Sequence, residues 1–190
     1  MSDDQFSPTA VRLAVGLVAV LAVGVVVASL VLTSGDEPAT QPPPTTEAPS
    51  TGPVALVDVP APDAGSAPCA SLMKALPTTL PDSGKTLRTL PIAKPAPPAA
   101  AAWGGARGEP VVLRCGLARP GELTPTSQLR EISRVRWLPV EGDGASTWYV
   151  VDRAVYVALT VPAGTGTGPL QEISAAVAKA LPAEPVRTGG

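Results

Sequence analysis

The chain has no histidine in its 190 residues. That absence removes every mechanism built on an imidazole: Ser-His-Asp triads, Cys-His nucleophiles and histidine-containing zinc sites are excluded within this chain, whatever its fold. Aromatic side chains are nearly as scarce, with three Trp, two Tyr and one Phe. The charge is nearly balanced, 14 Lys and Arg against 16 Asp and Glu, for a formal −2. A nucleic-acid surface needs a basic face and stacking platforms, so no nucleic-acid partner is expected. There are only two cysteines, Cys69 and Cys115. No C-x-x-C pair is present, and no cluster offers metal-ligand spacing, so neither a metal nor a cofactor is expected.

What is abundant is proline, 24 residues, and one long apolar run. From Leu13 to Leu32 the sequence reads LAVGLVAVLAVGVVVASLVL without a charge. At about 1.5 Å per residue such a helix spans a hydrocarbon core of roughly 30 Å. The competing reading is a cleavable signal peptide, but the run exceeds the usual apolar core of one, and Arg12 is the single cation before it. It is therefore read as an uncleaved transmembrane anchor. A lipoprotein would need a cysteine just after the run, whereas the first is Cys69. Arg12 precedes the run and Asp36 and Glu37 follow it, which places residues 1–12 in the cytoplasm and the rest outside, with Asp3 and Asp4 diluting the contrast.

Residues 33–53, TSGDEPATQPPPTTEAPSTGP, carry almost no large apolar side chain and cannot bury a core. They read as a semi-extended Pro/Thr-rich tether with a reach of roughly 65 Å in polyproline II geometry. Its threonines are candidate O-glycosylation sites. The remaining stretch, 54–190, holds 13 basic and 11 acidic side chains, a formal +2, and suits one extracytoplasmic domain.

The periodicity of that domain predicts an α+β fold, a mostly antiparallel sheet covered by two helices. Val54–Val59 (VALVDV) has strand composition. Ser66-Ala67-Pro68 opens a helix on which Cys69, Leu72, Met73 and Leu76 share one face before Pro77 ends it. A strand is expected over Thr86–Ile92, a loop over Lys94–Ala102, and a strand over Val111–Leu117 whose alternation turns Cys115 inward. A short helix is expected near Ser127–Ile132. Val135–Val140 and Trp148–Val151 flank EGDGAS as a hairpin, Ala154–Val161 continues the sheet, and Pro169–Leu181 is a terminal amphipathic helix. With both cysteines on core-facing surfaces, a Cys69–Cys115 bridge is the natural outcome, contributing about 4 kcal/mol by loop-closure entropy.

Four patterns carry potential chemistry. Ser71-Leu72-Met73-Lys74 matches S-x-x-K, but the S-D-N and K-T-G companions of penicillin-interacting enzymes are missing, and a helix surface explains it as well. Gly164–Gly168 sits between a strand and a helix as a phosphate loop would, yet Pro169 removes a donor amide and no lysine follows, which favours a plain connection. Glu141 and Asp143 on their turn fall short of a calcium ligand set. Trp103, Arg114, Asp152 and Arg153 join an aromatic to two guanidiniums near loop and strand ends. They are the candidate ligand-binding residues, set against the simpler reading of a packed Trp and a solvated Arg with an Asp partner.

The spacing Cys69-x-x-Leu72 with Leu76-Pro77, Ala102-Trp103-Gly104, Leu113-Arg114-Cys115-Gly116, and Asp152-Arg153 ahead of Val161-Pro162 resembles an actinobacterial family of anchored or secreted proteins catalogued as a domain of unknown function. The likeness covers roughly Val54 to Leu181, and four Lys against ten Arg suits a high-GC genome. It implies an envelope protein with one amino-terminal helix and an exported domain, and carries over no catalytic residue. Gly104-Gly105 sets Trp103 further from Pro110 than the family pattern expects.

Together these features lead to an uncharacterised membrane-anchored envelope protein whose domain binds a protein or wall component without catalysis. The rival is a wall- or sugar-active enzyme using Asp/Glu or Ser-Lys chemistry. A structural subunit of a membrane complex is a third reading, for which Gly16 and Gly24 on the anchor would allow close helix packing although their spacing is not G-x-x-x-G.

Overall fold

A computed structural model describes residues 53–104 and 108–188. The expected anchor and nearly all of the tether, 1–52, lie outside the described residues. Among those described, no helix is long and apolar enough to cross a membrane.

Helix α1 (Ala67–Ala75) forms where the sequence places its cap: the Cys69 N–H donates to Ser66 Oγ at 3.4 Å, and Pro68 sits in the first turn where no intrahelical N–H is needed. It ends at Leu76, extended because Pro77 follows. Eight strands come next: β1 (Thr79–Asp82), β2 (Lys85–Leu90), β3 (Ala100–Trp103), β4 (Val111–Leu117), β5 (Arg130–Ile132), β6 (Val135–Glu141), β7 (Ala145–Val150) and β8 (Tyr156–Pro162). Helix α2 (Gly168–Ala180) closes the order. The strands form one sheet in the order β1-β2-β3-β4-β8-β7-β6-β5, every neighbouring pair antiparallel. The α+β expectation holds in that form.

Four local expectations are corrected. The helix near Ser127–Ile132 is instead a short strand, β5, because Ser133 and Arg134 both take positive φ and fold it back onto β6 as a two-residue hairpin. Val54–Val59 is not a sheet strand: only Val54 bridges, in parallel, to Ile92. The loop Lys94–Ala102 ends early, its last three residues opening β3. A further strand, β1, precedes the one expected at Thr86–Ile92, and Ser83-Gly84 turns the chain between them.

Alternation divides the sheet into two faces. On one, Trp103, Leu113, Cys115, Trp137 and Leu159 meet Leu72 of α1 and Ile173 and Val177 of α2, all fully buried. Cys69 and Cys115 are joined there with Cα atoms 5.7 Å apart, so the bridge ties α1 to the middle of the sheet. Trp137 donates to Ser174 Oγ at 2.9 Å, which satisfies the one polar atom the indole carries into the core. On the other face Leu117, Leu138, Tyr156 and Ala158 pack beneath irregular segments, through Leu123 and Leu129 of the β4–β5 connection and Val186 of the carboxyl-terminal tail.

The Gly-rich connection before α2 is a packing device. The Gly166 N–H donates to Asp82 Oδ1 at 2.7 Å, and that carboxylate is only 1% exposed. A side chain at Gly168 would meet the Pro81 carbonyl oxygen at 2.3 Å. The amide a phosphate would seek is already held by the chain's own carboxylate.

Candidate functional site

The four candidate residues are not brought together. Trp103 is fully buried on β3, opposite Val111, and its Nε1–H donates to the Pro77 carbonyl at 3.0 Å. It fastens the end of α1 to the sheet. Asp152 and Arg153 lie in the β7–β8 connection, 5% and 2% exposed. Arg153 is thus not solvated. Its Nη1 donates to the Asp152 carbonyl at 2.8 Å and stands 2.8 Å from Oδ1, and Nη2 donates to the Arg134 carbonyl at 2.9 Å. Because Nη1 is aimed at the carbonyl, Oδ1 receives charge but no aligned hydrogen bond, and Arg153 Nε has no partner either. The pair holds the β5–β6 turn, and the Glu184 N–H donates to the same Asp152 carbonyl at 2.9 Å. Arg187 continues the clasp, donating to the Arg153 and Ala154 carbonyls and resting 5.7 Å from the Tyr156 ring centre.

Arg114 alone reaches a hollow. It lies on β4 opposite Ala100, on the face away from the helices, half-buried. Its Nη2 donates to the Val57 carbonyl at 2.6 Å and so pins the segment Val54–Val59 across the sheet. Between that arm and the sheet is a hollow of about 390 Å³, walled by Leu56, Pro110 and Val112 with Thr160, Arg114 and Glu109 as its polar groups. A second hollow of about 380 Å³ lies along the arm between Leu56 and Asp58 on one side and Lys94, Pro95 and Pro97 on the other. Apolar walls with a few polar groups, one of them a guanidinium fork, suit recognition of an anionic or hydrogen-bonding group carried on an apolar body.

The remaining motifs stay outside both hollows. Ser71 and Lys74 are exposed on α1, and Glu141 and Asp143 are exposed at the β6–β7 turn. Among the described residues no three Cys, Asp or Glu side chains gather as a metal ligand set. One phenol is perturbed: burial, and then the charge of Glu122, raise the pKa of Tyr149 above 10.0.

Leu113-Arg114-Cys115-Gly116 now has a reading residue by residue: core, arm, bridge and bulge. The β4–β8 register shifts between Cys115 and Leu117, and Gly116 takes φ +83° where the Ala61–Ala64 turn presses on the strand. A family model described as Protein of unknown function (DUF3515) matches residues 15–186. The chain belongs to the DUF3515 family. That match takes in most of the apolar run and the tether stretch as well as the sheet domain. No curated protein and no solved structure matches this DUF3515 chain. Sequence reasoning missed Glu109, Pro110, Val112 and Thr160. They are generic residue types: the β4–β8 pairing sets Val112 opposite Thr160, and the crossing of the arm over them turns that patch of sheet into a hollow.

Proposed function

We propose that this DUF3515 protein is a single-pass protein of the actinobacterial envelope, amino terminus in the cytoplasm, that displays a non-enzymatic recognition domain outside the membrane. Three features support the location: the uncharged run Leu13–Leu32, the Pro/Thr-rich stretch after it, and a closed disulfide, which suits an oxidising compartment. The observation that carries the recognition reading is the hollow of about 390 Å³ beside the arm, where Arg114 and Thr160 stand over apolar walls. Ser71 and Lys74 are exposed on α1 and line neither of these two hollows, which is why the recognition reading is preferred to the Ser-Lys form of the enzyme reading.

The test is photo-crosslinking of the full chain in its native cells. A diazirine amino acid replaces Val112 in the hollow, or Lys179, exposed on α2, as the control. A reproducible envelope protein or wall fragment captured at position 112, absent at 179 and diminished by Arg114→Ala, is the expected result. Identical captures at both positions, or none at 112, overturn it.

A further inference from the structure

Cys69 and Cys115 are both 0% exposed, and what surrounds them comes from distant parts of the chain. On one side the Cys115 N–H donates to the Ala99 carbonyl at 2.9 Å, and on the other Cys115 stands opposite Val157 of β8. Ile173 and Val177 of α2 belong to the same buried cluster as the two cysteines. β8 begins at Tyr156 and α2 at Gly168, so the elements that seal the bridge follow both cysteines in the chain. Cys69 reaches that interior on α1, whose 9 residues fall short of the about 12–15 that an isolated helix needs. Thiol–disulfide exchange requires direct contact between a chain sulfur and a sulfur of the external disulfide, and the closed core denies that contact to both residues.

We infer that the chain enters its fold already oxidised: it is the substrate of a thiol–disulfide exchange that takes place while β8 and α2 are still unpacked, and the closed core then seals the product. The thiolate of one cysteine attacks an external disulfide, forming a mixed disulfide and releasing one external thiol. The thiolate of the second cysteine attacks its partner's sulfur, closing Cys69–Cys115 and releasing the other external thiol. Two chain thiols lose two electrons and two protons, and the external disulfide gains them as two thiols. The donor is defined by that chemistry as an oxidised disulfide, carried on a protein or on a low-mass thiol. Exchange before packing also closes a loop across 46 positions, so the sheet and helices form from a chain with fewer conformations to lose. The inference rests on the exported location proposed above and adds the reaction that must precede folding there.

In the experiment the detergent-solubilised full chain, reduced and unfolded in urea, is diluted into buffer with oxidised glutathione added at once or after an interval. Bridge closure is read by mass after alkylation without reduction, and packing by the fluorescence of Trp103 and Trp137, which the fold buries fully. Closure is expected to precede the fluorescence change. Glutathione added after that change should close the bridge at least about tenfold more slowly, since only transient opening admits it. A reduced chain that stays unpacked until glutathione arrives gives the same order. Native fluorescence reached by a reduced chain, which late glutathione then bridges at an undiminished rate, overturns the inference. In intact cells Cys69→Ala leaves Cys115 without its partner, and Cys115 should carry a reduction-sensitive adduct, protein-sized for a protein donor and a low-mass thiol for the other. No adduct, or oxygen on Cys115 in its place, overturns the exchange. Unoxidised Cys69 and Cys115 in the native chain in cells strike the exported location itself, which the dilution experiment does not touch.

Discussion

Replacing Arg153 by methionine tests whether Asp152–Arg153 is a structural clasp. The guanidinium is 2% exposed and serves the Asp152 carboxylate, the Asp152 carbonyl and the Arg134 carbonyl, each within 2.9 Å. Methionine preserves much of the aliphatic volume but leaves a carboxylate buried without its counter-charge. Removing one member of a buried pair costs about 3–5 kcal/mol, most of it the uncompensated charge. For a domain of this size that lowers the midpoint of thermal unfolding by on the order of 10–20 °C. The double variant Asp152→Asn, Arg153→Met removes the charge as well, so only hydrogen bonds are lost, about 1 kcal/mol each, and part of the stability returns. Thermal and urea unfolding followed by circular dichroism measure both. A single variant within about 1 kcal/mol of the native chain, or a double variant no better than the single, refutes the clasp. Residues held in reserve for a ligand predict that milder outcome.

Two further predictions follow from local geometry. Gly116→Ala places a methyl 2.2 Å from the Ala64 nitrogen at φ +83°, so it should cost at least about 2 kcal/mol, read as a lowered urea midpoint with an unchanged slope. Tyr149 should form phenolate, by absorbance near 295 nm in a Tyr156→Phe background, above pH 10.0, and Glu122→Gln should bring it down only part of the way because burial is the larger cause. With the folded pKa raised, the stability that Tyr149 contributes is complete below the unfolded value of about 10 and is lost as pH rises through the folded one. A Tyr149 titration at or below 10.0 contradicts this.

The core was legible where periodicity and burial coincide. Cys69 and Leu72 on one helical stripe, Leu113 and Cys115 on one strand face, and Ile173 and Val177 on the last helix all meet at the same interior. Local chemistry misled at two turns, one built from residues without a turn's reputation and one hidden behind a proline-containing strand. Ser133-Arg134 takes two positive φ values that Asn-Gly would have announced, and Ser83-Gly84 follows a strand that contains Pro81. The site was less legible than the fold for a different reason. Trp103, Asp152 and Arg153 drew attention by residue type, but burial commits all three to internal partners. Arg114 reaches the hollow because β4 alternation puts it on the face opposite Cys115, a parity visible in the sequence. That the arm would cross there, pinned by a bond from Arg114 to Val57 over 57 positions, had no local signal.

Everything proposed about function depends on the domain standing outside the membrane. Lys179→Cys in the full chain, treated in intact cells with a membrane-impermeant maleimide, measures this most directly. Lys179 is exposed near the end of α2, and the native cysteines are tied to each other, so the new thiol is the only reactive one in the folded chain. Labelling in intact cells equal to that after lysis, with Cys69–Cys115 oxidised in the same molecules, is the predicted result. Labelling that appears only after lysis, or free thiols at Cys69 and Cys115, contradicts the account.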